Sequence, residues 1–280
     1  MPIHLITVVG GNVTVLRQML SHYIGLGIDT FTIHAHGTTS TDPVLDEIES
    51  VSLSHGVRIA SRTIGPWSQC INPQLYRASM QRYPNDWFVI ADQDEFQVYP
   101  DDLRSLGGYC NRKGYDYLQG ALIDRFDQLG ELTAVGPSMN IWQQFPVGAC
   151  FTPVVLGGDP SKVVFSKGHV QLGPGQHHAR TGRAAPLEVC SIPVHHFKWV
   201  EGVISQLRSR SNLYQALQEP HWQESARFVE YYAIHHRIDL SDPAIFAAHC
   251  NPSYPYWNML LSLRHSRAER ENAQTALRRV

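Results

Sequence analysis

Three acidic residues and a glutamine, Asp92-Gln-Asp-Glu95, directly follow the apolar run Trp87-Phe-Val-Ile-Ala91. Carboxylates this close repel one another and raise each other's pKa, and a divalent cation relieves that repulsion. Mg²⁺ and Mn²⁺ take oxygen ligands, commonly one or two carboxylates completed by substrate phosphates. On an extended chain the two aspartates of D-x-D project to one side, about 7 Å apart at Cα. One can then grip a metal while the other holds a sugar or ribose hydroxyl. The alternative is a solvated acidic loop; the buried strand in front of it favours chemistry.

Histidine is the second signal. The chain holds 15, with three adjacent pairs at His177-His178, His195-His196 and His235-His236, and such a surplus raises metal or acid–base chemistry. His177 and His178 follow the turn Gly173-Pro-Gly, where a loop could close on a substrate or simply carry idle histidines. His195-His196 reads as strand, where neighbours face opposite ways. His235-His236 falls in a predicted helix, cannot easily chelate one ion, and is read as structural. Asp124 ends a strand-like run, which makes it a candidate general base; the equal alternative is an ion pair with Arg125. Glu95 could bind an acceptor or hold its own loop. Arg62 could reach a base or phosphate from the end of a third strand, or lie on the surface. His36, Thr38 and Asp42 form a polar turn, while Trp67 and Tyr76-Arg77 could line a pocket or belong to the core.

These residues need a frame. Ile3 to Val9 is a β-branched run ending at Gly10-Gly11, and residues 14–26 carry Leu16, Met19, Leu20 and Tyr23 at helical spacing before Gly27. Thr30 to Ala35 predicts a second strand, Pro43 a second helix with Leu45, Ile48 and Val51 inward, and Val57 to Ser61 a third strand. Asn72 to Arg82 predicts a helix and Trp87 to Ala91 a strand buried on both faces. This βαβαβαβ order predicts a parallel sheet covered on both sides, with ligands at the carboxyl ends of its strands. Beyond residue 110 the pattern loosens into a strand over 115–123 and a Gly/Pro-rich stretch over 130–195. Short strands are expected there at Val154-Val155 and Val163 to Phe165. Helices follow from Trp199, over about 223–236 and over about 257–279. The expected class is a single α/β domain: an αβα sandwich with a mostly parallel central sheet and C-terminal helices.

Composition narrows the function. With 280 residues, 43% hydrophobic, and 23 Lys+Arg against 25 Asp+Glu, the chain can bury a full core. It lacks the imbalance of a disordered chain or a general nucleic-acid binder. Five cysteines (Cys70, Cys110, Cys150, Cys190, Cys250) without C-x-x-C argue against a disulfide framework and for a reduced, cytoplasmic setting. The opening MPIHLITVVGG has no basic n-region and reads as a strand. No run approaches ~18 apolar residues, so no membrane span is expected. Arg264, Arg267, Arg270, Arg278 and Arg279 form a basic helix end, where a solvated face outweighs peripheral contact with anionic lipid. Arginine far outnumbers lysine, a bias of GC-rich bacterial genomes.

The order of these pieces resembles family 2-like glycosyltransferases of the GT-A fold and the related family 92-like transferases. The resemblance rests on LRQMLSHYIGLGID (residues 16–29), the turn over 36–42, WFVIADQDEF (87–96), Gly173-Pro-Gly-Gln-His177 and Val194-His-His-Phe-Lys-Trp199. It spans roughly residues 3–215, and WFVIADQDEF is its most specific part. It implies a catalytic region over 1–215, with a nucleotide-binding half (1–110), an acceptor half (111–215) and a helical extension over 216–280. It also implies a nucleotide-sugar donor, a hydroxyl acceptor (a glycan, lipid-linked glycan or small molecule), inversion, and Mn²⁺ or Mg²⁺ held by Asp92, Asp94 and His196. Gly10, His36, Arg62, Asp92 and Lys198 are then donor contacts, Lys198 sharing a strand face with His196. Glu95, Arg125 and His177 are acceptor contacts, and Asp124 and His178 catalytic. Two departures stand out: Val9-Gly10-Gly11-Asn12 replaces the family's "vKNE", and His34-Ala-His36 stands where an aspartate is usual. The alternatives are a sugar nucleotidyltransferase, which would normally carry a basic glycine-rich loop after the first strand, a metal-dependent hydrolase, and a non-catalytic nucleotide- or carbohydrate-binding relative. A Rossmann dehydrogenase lacks its G-x-G-x-x-G here.

Overall fold

The structure, a computed structural model, describes residues 1–136, 139–218 and 222–249. Its first half follows the expected alternation. Strands β1 (Ile3–Gly10), β2 (Thr30–Gly37), β3 (Ile59–Ile64) and β4 (Trp87–Ile90) pair in parallel in the order β3-β2-β1-β4, linked by α1 (Leu16–Gly25), α2 (Pro43–Ser54) and α3 (Ile71–Met80). Alternation splits β1 between two cores. Leu5 and Val9 pack with Leu16, Met19 and Leu20 of α1 and Leu45 and Ile48 of α2, whereas Ile6 and Val8 meet Tyr76 and Met80 of α3. Burial on both faces is why such a strand reads as a continuous apolar run. Asp42 starts α2: one carboxylate oxygen accepts Val44 N–H at 3.2 Å and the other accepts the N–H and Oγ1 of Thr38, each at 2.9 Å. Pro43 fills the first helical position, where its missing N–H costs nothing.

The second half is antiparallel for the most part. It contains β5 (Glu95–Gln97), α4 (Leu103–Lys113), β6 (Tyr117–Phe126), α5 (Ile141–Gln144), β7 (Val147–Ala149), β8 (Ser161–Lys167), β9 (Ser191–His196), α6 (Val203–Ala216), α7 (Trp222–His235) and β10 (Ala248–His249). Strand β8 inserts antiparallel between β4 and β6, so one sheet runs β10-β7-β6-β8-β4-β1-β2-β3 without a break at residue 110. Strand β9 runs parallel to β6 and antiparallel to β5, which carries it over to the acidic turn. Phe126, Phe151, Trp199 and Phe228 form a separate aromatic cluster with Val203 and Leu207 of α6. The result is an α/β sandwich with a mixed sheet whose core strands are parallel.

Two expectations change. Val154-Val155 is not a strand but lies in a single π-helical turn, Thr152–Leu156, which Pro153 opens. Strand β6 continues to Phe126, so Asp124 and Arg125 lie within it and not beyond its end. The helix expected over 257–279 and its five arginines lie outside the described residues. Among the described residues no helix is long and apolar enough to cross a membrane.

Candidate active site

The carboxyl ends of β1, β2 and β4 open into a cavity of about 410 Å³ that α6 walls on another side. Gly10, His36, Asp92 and Asp94 reach it from the parallel strands, Lys162 from β8 and His196 from β9. The crevice thus sits where open α/β sheets bind ligands.

The chain does not stay extended through the acidic motif. Glu95 N–H donates to Asp92 O at 3.1 Å, closing a turn that sends the two aspartates to different partners. Gln93 between them clamps the exit of β1. Its Nε2 donates to Gly10 O at 3.0 Å and Asn12 O at 2.5 Å, and its Oε1 accepts Gly10 N–H at 3.2 Å. Residue 10 must be glycine there, because a Cβ would stand 2.6 Å from His36 O.

Asp94 faces β9. His196 Nε2 lies 3.6 Å from Asp94 Oδ2, and His196 Nδ1 lies 2.9 Å from Asp124 Oδ1. Asp124 has no solvent exposure and also accepts Trp199 Nε1 at 2.8 Å, Thr152 N–H at 2.6 Å and Thr152 Oγ1 at 2.8 Å. Burial opposes ionisation of both carboxyls, but His196 overrides it, holding Asp94 at about 2 and Asp124 below the usual range. Burial likewise disfavours a charged His196, yet the two aspartates raise it to about 10. This corrects the reading of Asp124 as general base: its oxygens are spent on four donors inside the core, and it orients His196. Nor does it pair with Arg125, because adjacent strand residues face opposite sides. Arg125 is itself buried, its Nε donating to Phe145 O at 2.9 Å and its guanidinium 5.4 Å from the Trp142 ring, so it offers nothing to an acceptor.

Asp92 belongs to a second assembly. Lys162 Nζ lies 3.0 Å from Asp92 Oδ2 and 2.6 Å from Glu95 Oε1, and donates to Gly175 O and Gln176 Oε1. Burial pushes Glu95 up to about 7 against the pull of Lys162, whereas the lysine holds its proton more firmly than a free one because two carboxylates outweigh its desolvation. Glu95 therefore holds its loop and is not free for an acceptor.

The remaining expected residues divide. His177 lines the cavity with Nδ1 donating to Ser161 O at 2.8 Å, and burial next to Lys162 pulls its pKa down to about 4. His178 is exposed against Gly173, outside the cavity. His36 lines the cavity; its buried Nε2 has no hydrogen-bond partner among the described residues, and burial lowers its pKa. Lys198 also reaches the cavity, but from beyond the end of β9, with Nζ 3.6 Å from Glu224 Oε1, so it shares no strand face with His196. Arg62 is turned away, bonded to Asp46 and Glu49 of α2, and cannot reach a donor in the cavity. Of the remaining pairs, His195 is buried in the core against Trp142, and His235 stacks on Tyr231.

Sequence reasoning missed Lys162, Gln176 and Arg210. Lys162 left a signal, since it opens an apolar strand in a chain that has only four lysines. Arg210 left none: its guanidinium lies 5.4 Å from the Trp67 ring and 4.9 Å from the Tyr214 ring, an arrangement that joins α6 to the loop after β3.

Among the described residues no three His, Cys, Asp or Glu side chains converge to hold a metal by themselves. The Asp94–His196 pair nevertheless suits one, which on binding would take the place of the ring proton that the two aspartates hold. An oxygen and an imidazole nitrogen 3.6 Å apart exceed a hydrogen bond and match two ligands each about 2.1 Å from a shared ion. The carboxylate on the distal ring nitrogen is the usual partner of a metal-ligating histidine. Asp92 does not complete this set, because Lys162 engages it.

Fold and site together define the class: an α/β domain with a mixed sheet and an acidic cleft at the carboxyl ends of its parallel strands. No protein-family model and no curated protein matches the sequence. Solved structures similar to it include TarS residues 1–349 of S. aureus, 11% identical over 86% of this chain and 74% of that one, with a TM-score of 0.40. A mycobacterial protein is 15% identical over 75% of this chain and 74% of its own, with a TM-score of 0.37. Glucosyl-3-phosphoglycerate synthase from Mycobacterium tuberculosis, in complex with Mn²⁺, uridine diphosphate and phosphoglyceric acid, is 17% identical over 48% of this chain, with a TM-score of 0.31. This chain spans about half of that synthase, 46% of its length.

Proposed function

We propose that this protein is a metal-assisted glycosyltransferase that moves a sugar from a nucleotide donor to a hydroxyl acceptor, with inversion. The observation that carries the reading is the Asp124–His196–Asp94 relay, which aims an imidazole nitrogen and a carboxylate oxygen into one cavity 3.6 Å apart. Asp94 and His196 would hold Mn²⁺ or Mg²⁺, and donor phosphates would complete its shell. Such an ion supplies Lewis-acid stabilisation of the departing diphosphate.

The chain's own groups do the rest. His36, Thr38 and Trp67 line the part of the cavity where a nucleoside would dock, and Arg210 and Lys198 place positive charge on its wall. Gly10 lets the donor approach the backbone of β1. With Asp124 withdrawn, the carboxylates that face the cavity away from the acidic turn are Asp159 and Glu224, either of which could take the acceptor proton. The inverting course follows the family resemblance, and a cytoplasmic site of action is part of the same proposal. The acceptor is a glycan, a lipid-linked glycan or a small hydroxyl compound.

A panel of nucleotide sugars titrated with and without Mn²⁺, on the parent and on Asp94→Asn, tests the reading. At least one donor should bind more tightly with Mn²⁺ and be turned over, and Asp94→Asn should lose the metal effect. Metal-dependent binding with neither transfer nor hydrolysis would instead mark a non-catalytic relative. If no donor gains from metal, or Asp94→Asn equals the parent, the proposal fails.

A further inference from the structure

Three residues on the wall of the cavity each carry a buried polar atom with no hydrogen-bond partner among the described residues: His36 Nε2, Asn72 Oδ1 and Arg210 Nε. They come from the end of β2, the first turn of α3 and the middle of α6. A buried polar atom left unpaired is costly, and three around one cavity imply a ligand that pairs with them. Their types are readable. Burial keeps the His36 imidazole neutral, and the Gly65 backbone hydrogen-bonds its other nitrogen in a way that favours a proton there. Nε2 is then a lone-pair acceptor. Asn72 Oδ1 is a second acceptor, and Arg210 Nε–H is a donor. Trp67 and Tyr214 line the same cavity, their rings stacked at 5.2 Å, with the Arg210 guanidinium against both. Aromatic rings beside edge-reading polar groups are what proteins use to hold an unstacked base.

We propose that this end of the cavity is a guanine site, and that the donor is a guanosine diphosphate sugar. The second half rests on the glycosyltransferase reading and names its substrate. The wall offers two acceptors and one donor. The Watson–Crick edge of guanine is the complement, since O6 accepts while N1–H and the 2-amino group donate. Uracil donates only from N3–H, and cytosine and adenine only from one exocyclic amine, so each leaves a protein acceptor unpaired. Sites that bury hydrogen-bonding groups reject strongly the ligands that fail to pair with them. The place suits a nucleotide. His36 is the register partner of Gly10 on β1, and Gly10 is clamped by Gln93, the residue between Asp92 and Asp94. One strand pair thus links the base site to the carboxylate end of the cavity, where the diphosphate would meet Asp94 and His196.

Calorimetric titration of GDP, UDP, ADP and CDP, with and without Mn²⁺, tests this, because the four share a diphosphate and differ in the base. GDP should bind at least about tenfold more tightly than the other three. Inosine diphosphate, which keeps O6 and N1–H but lacks the 2-amino group, should bind about tenfold more weakly than GDP. His36→Phe and Asn72→Leu each remove one acceptor, and each should shrink the preference for GDP over UDP by about tenfold. The ranking on the parent protein decides the matter even if neither variant folds. UDP, ADP or CDP binding as tightly as GDP overturns the inference and leaves the glycosyltransferase reading standing, and so does inosine diphosphate equal to GDP. A preference for GDP that Mn²⁺ does not strengthen upholds the guanine site and counts against the glycosyltransferase reading. If none of the diphosphates binds in either condition, both fail.

Discussion

His196 presents one ring nitrogen to Asp94 at 3.6 Å and fastens the other at 2.9 Å to Asp124, a carboxylate that solvent never reaches. The buried partner holds Nδ1–H and the plane of the ring, so Nε2 is aimed into the cavity from inside the core.

Asp124→Asn should therefore weaken Mn²⁺ binding by about 10–100-fold while the protein still folds. With the amide oxygen kept on His196, Trp199 and Thr152 Oγ1, the new NH2 would face Thr152 N–H, donor against donor, which costs about 1–3 kcal/mol. Calorimetric titration of Mn²⁺, paired with urea denaturation, separates the two effects. If Mn²⁺ affinity stays at the parental value, Asp124 is only a core acceptor.

Two arginines read alike in the sequence and should behave oppositely. Arg125 is buried among Trp142, Phe197 and Phe145 O, so Arg125→Ala leaves an unfilled cavity and should lower unfolding free energy by about 3–5 kcal/mol. Arg62 lies on the surface against Asp46 and Glu49, and Arg62→Ala should shift neither the denaturation midpoint nor the donor KM. A raised donor KM in Arg62→Ala would restore it to the donor site.

Gly10→Ala places a methyl 2.6 Å from His36 O, where β1 and β2 both open into the cavity and Gln93 bolts the turn down. Overpacking of this kind costs about 1–3 kcal/mol, and prising the strands apart at this end should also lower donor affinity. Gly25→Ala is the control: nothing lies within 4 Å of its Cβ, and on a helix the change should be neutral or stabilising by up to about 1 kcal/mol. Thermal melts of the two variants should move in different directions.

The parallel half of the fold was legible because its central strands β1 and β4 are buried on both faces and each helix carries its own apolar stripe, as Leu16, Met19 and Leu20 show. In the antiparallel half β6, the middle of β8 and the end of β9 were legible as strands, but their order in the sheet was not, because it depends on partners far away in the chain. Within the site, Asp94 and His196 could be picked out by type and context. Asp124 was found but given the wrong task, since only the tertiary fold shows that Thr152, Trp199 and His196 surround it. Lys162 went unseen because the turn that completes its assembly depends on two left-handed residues, Gly175 and Gln176, which no hydrophobic pattern encodes.

His177 gives the protein a measurable acid sensitivity. Burial and the neighbouring Lys162 pull its pKa to about 4, against about 6.5 in an unfolded chain. Lowering the pH protonates the unfolded chain first, so the unfolded state binds more protons between pH 6.5 and 4. Unfolding free energy then falls by about 1.4 kcal/mol for each pH unit lost in that window, and the contribution is complete above about pH 6.5. His177→Asn keeps a donor for Ser161 O and removes the titration. Urea midpoints from pH 7 to 4.5 should thus decline more steeply in the parent than in His177→Asn, by about 2–3 kcal/mol over the range. His22 and His34, also lowered by burial, contribute equally to both proteins and cancel in the comparison. Parallel curves would mean that His177 takes up its proton in the folded state at an ordinary pH, and that the cavity around it is wetter than its packing implies.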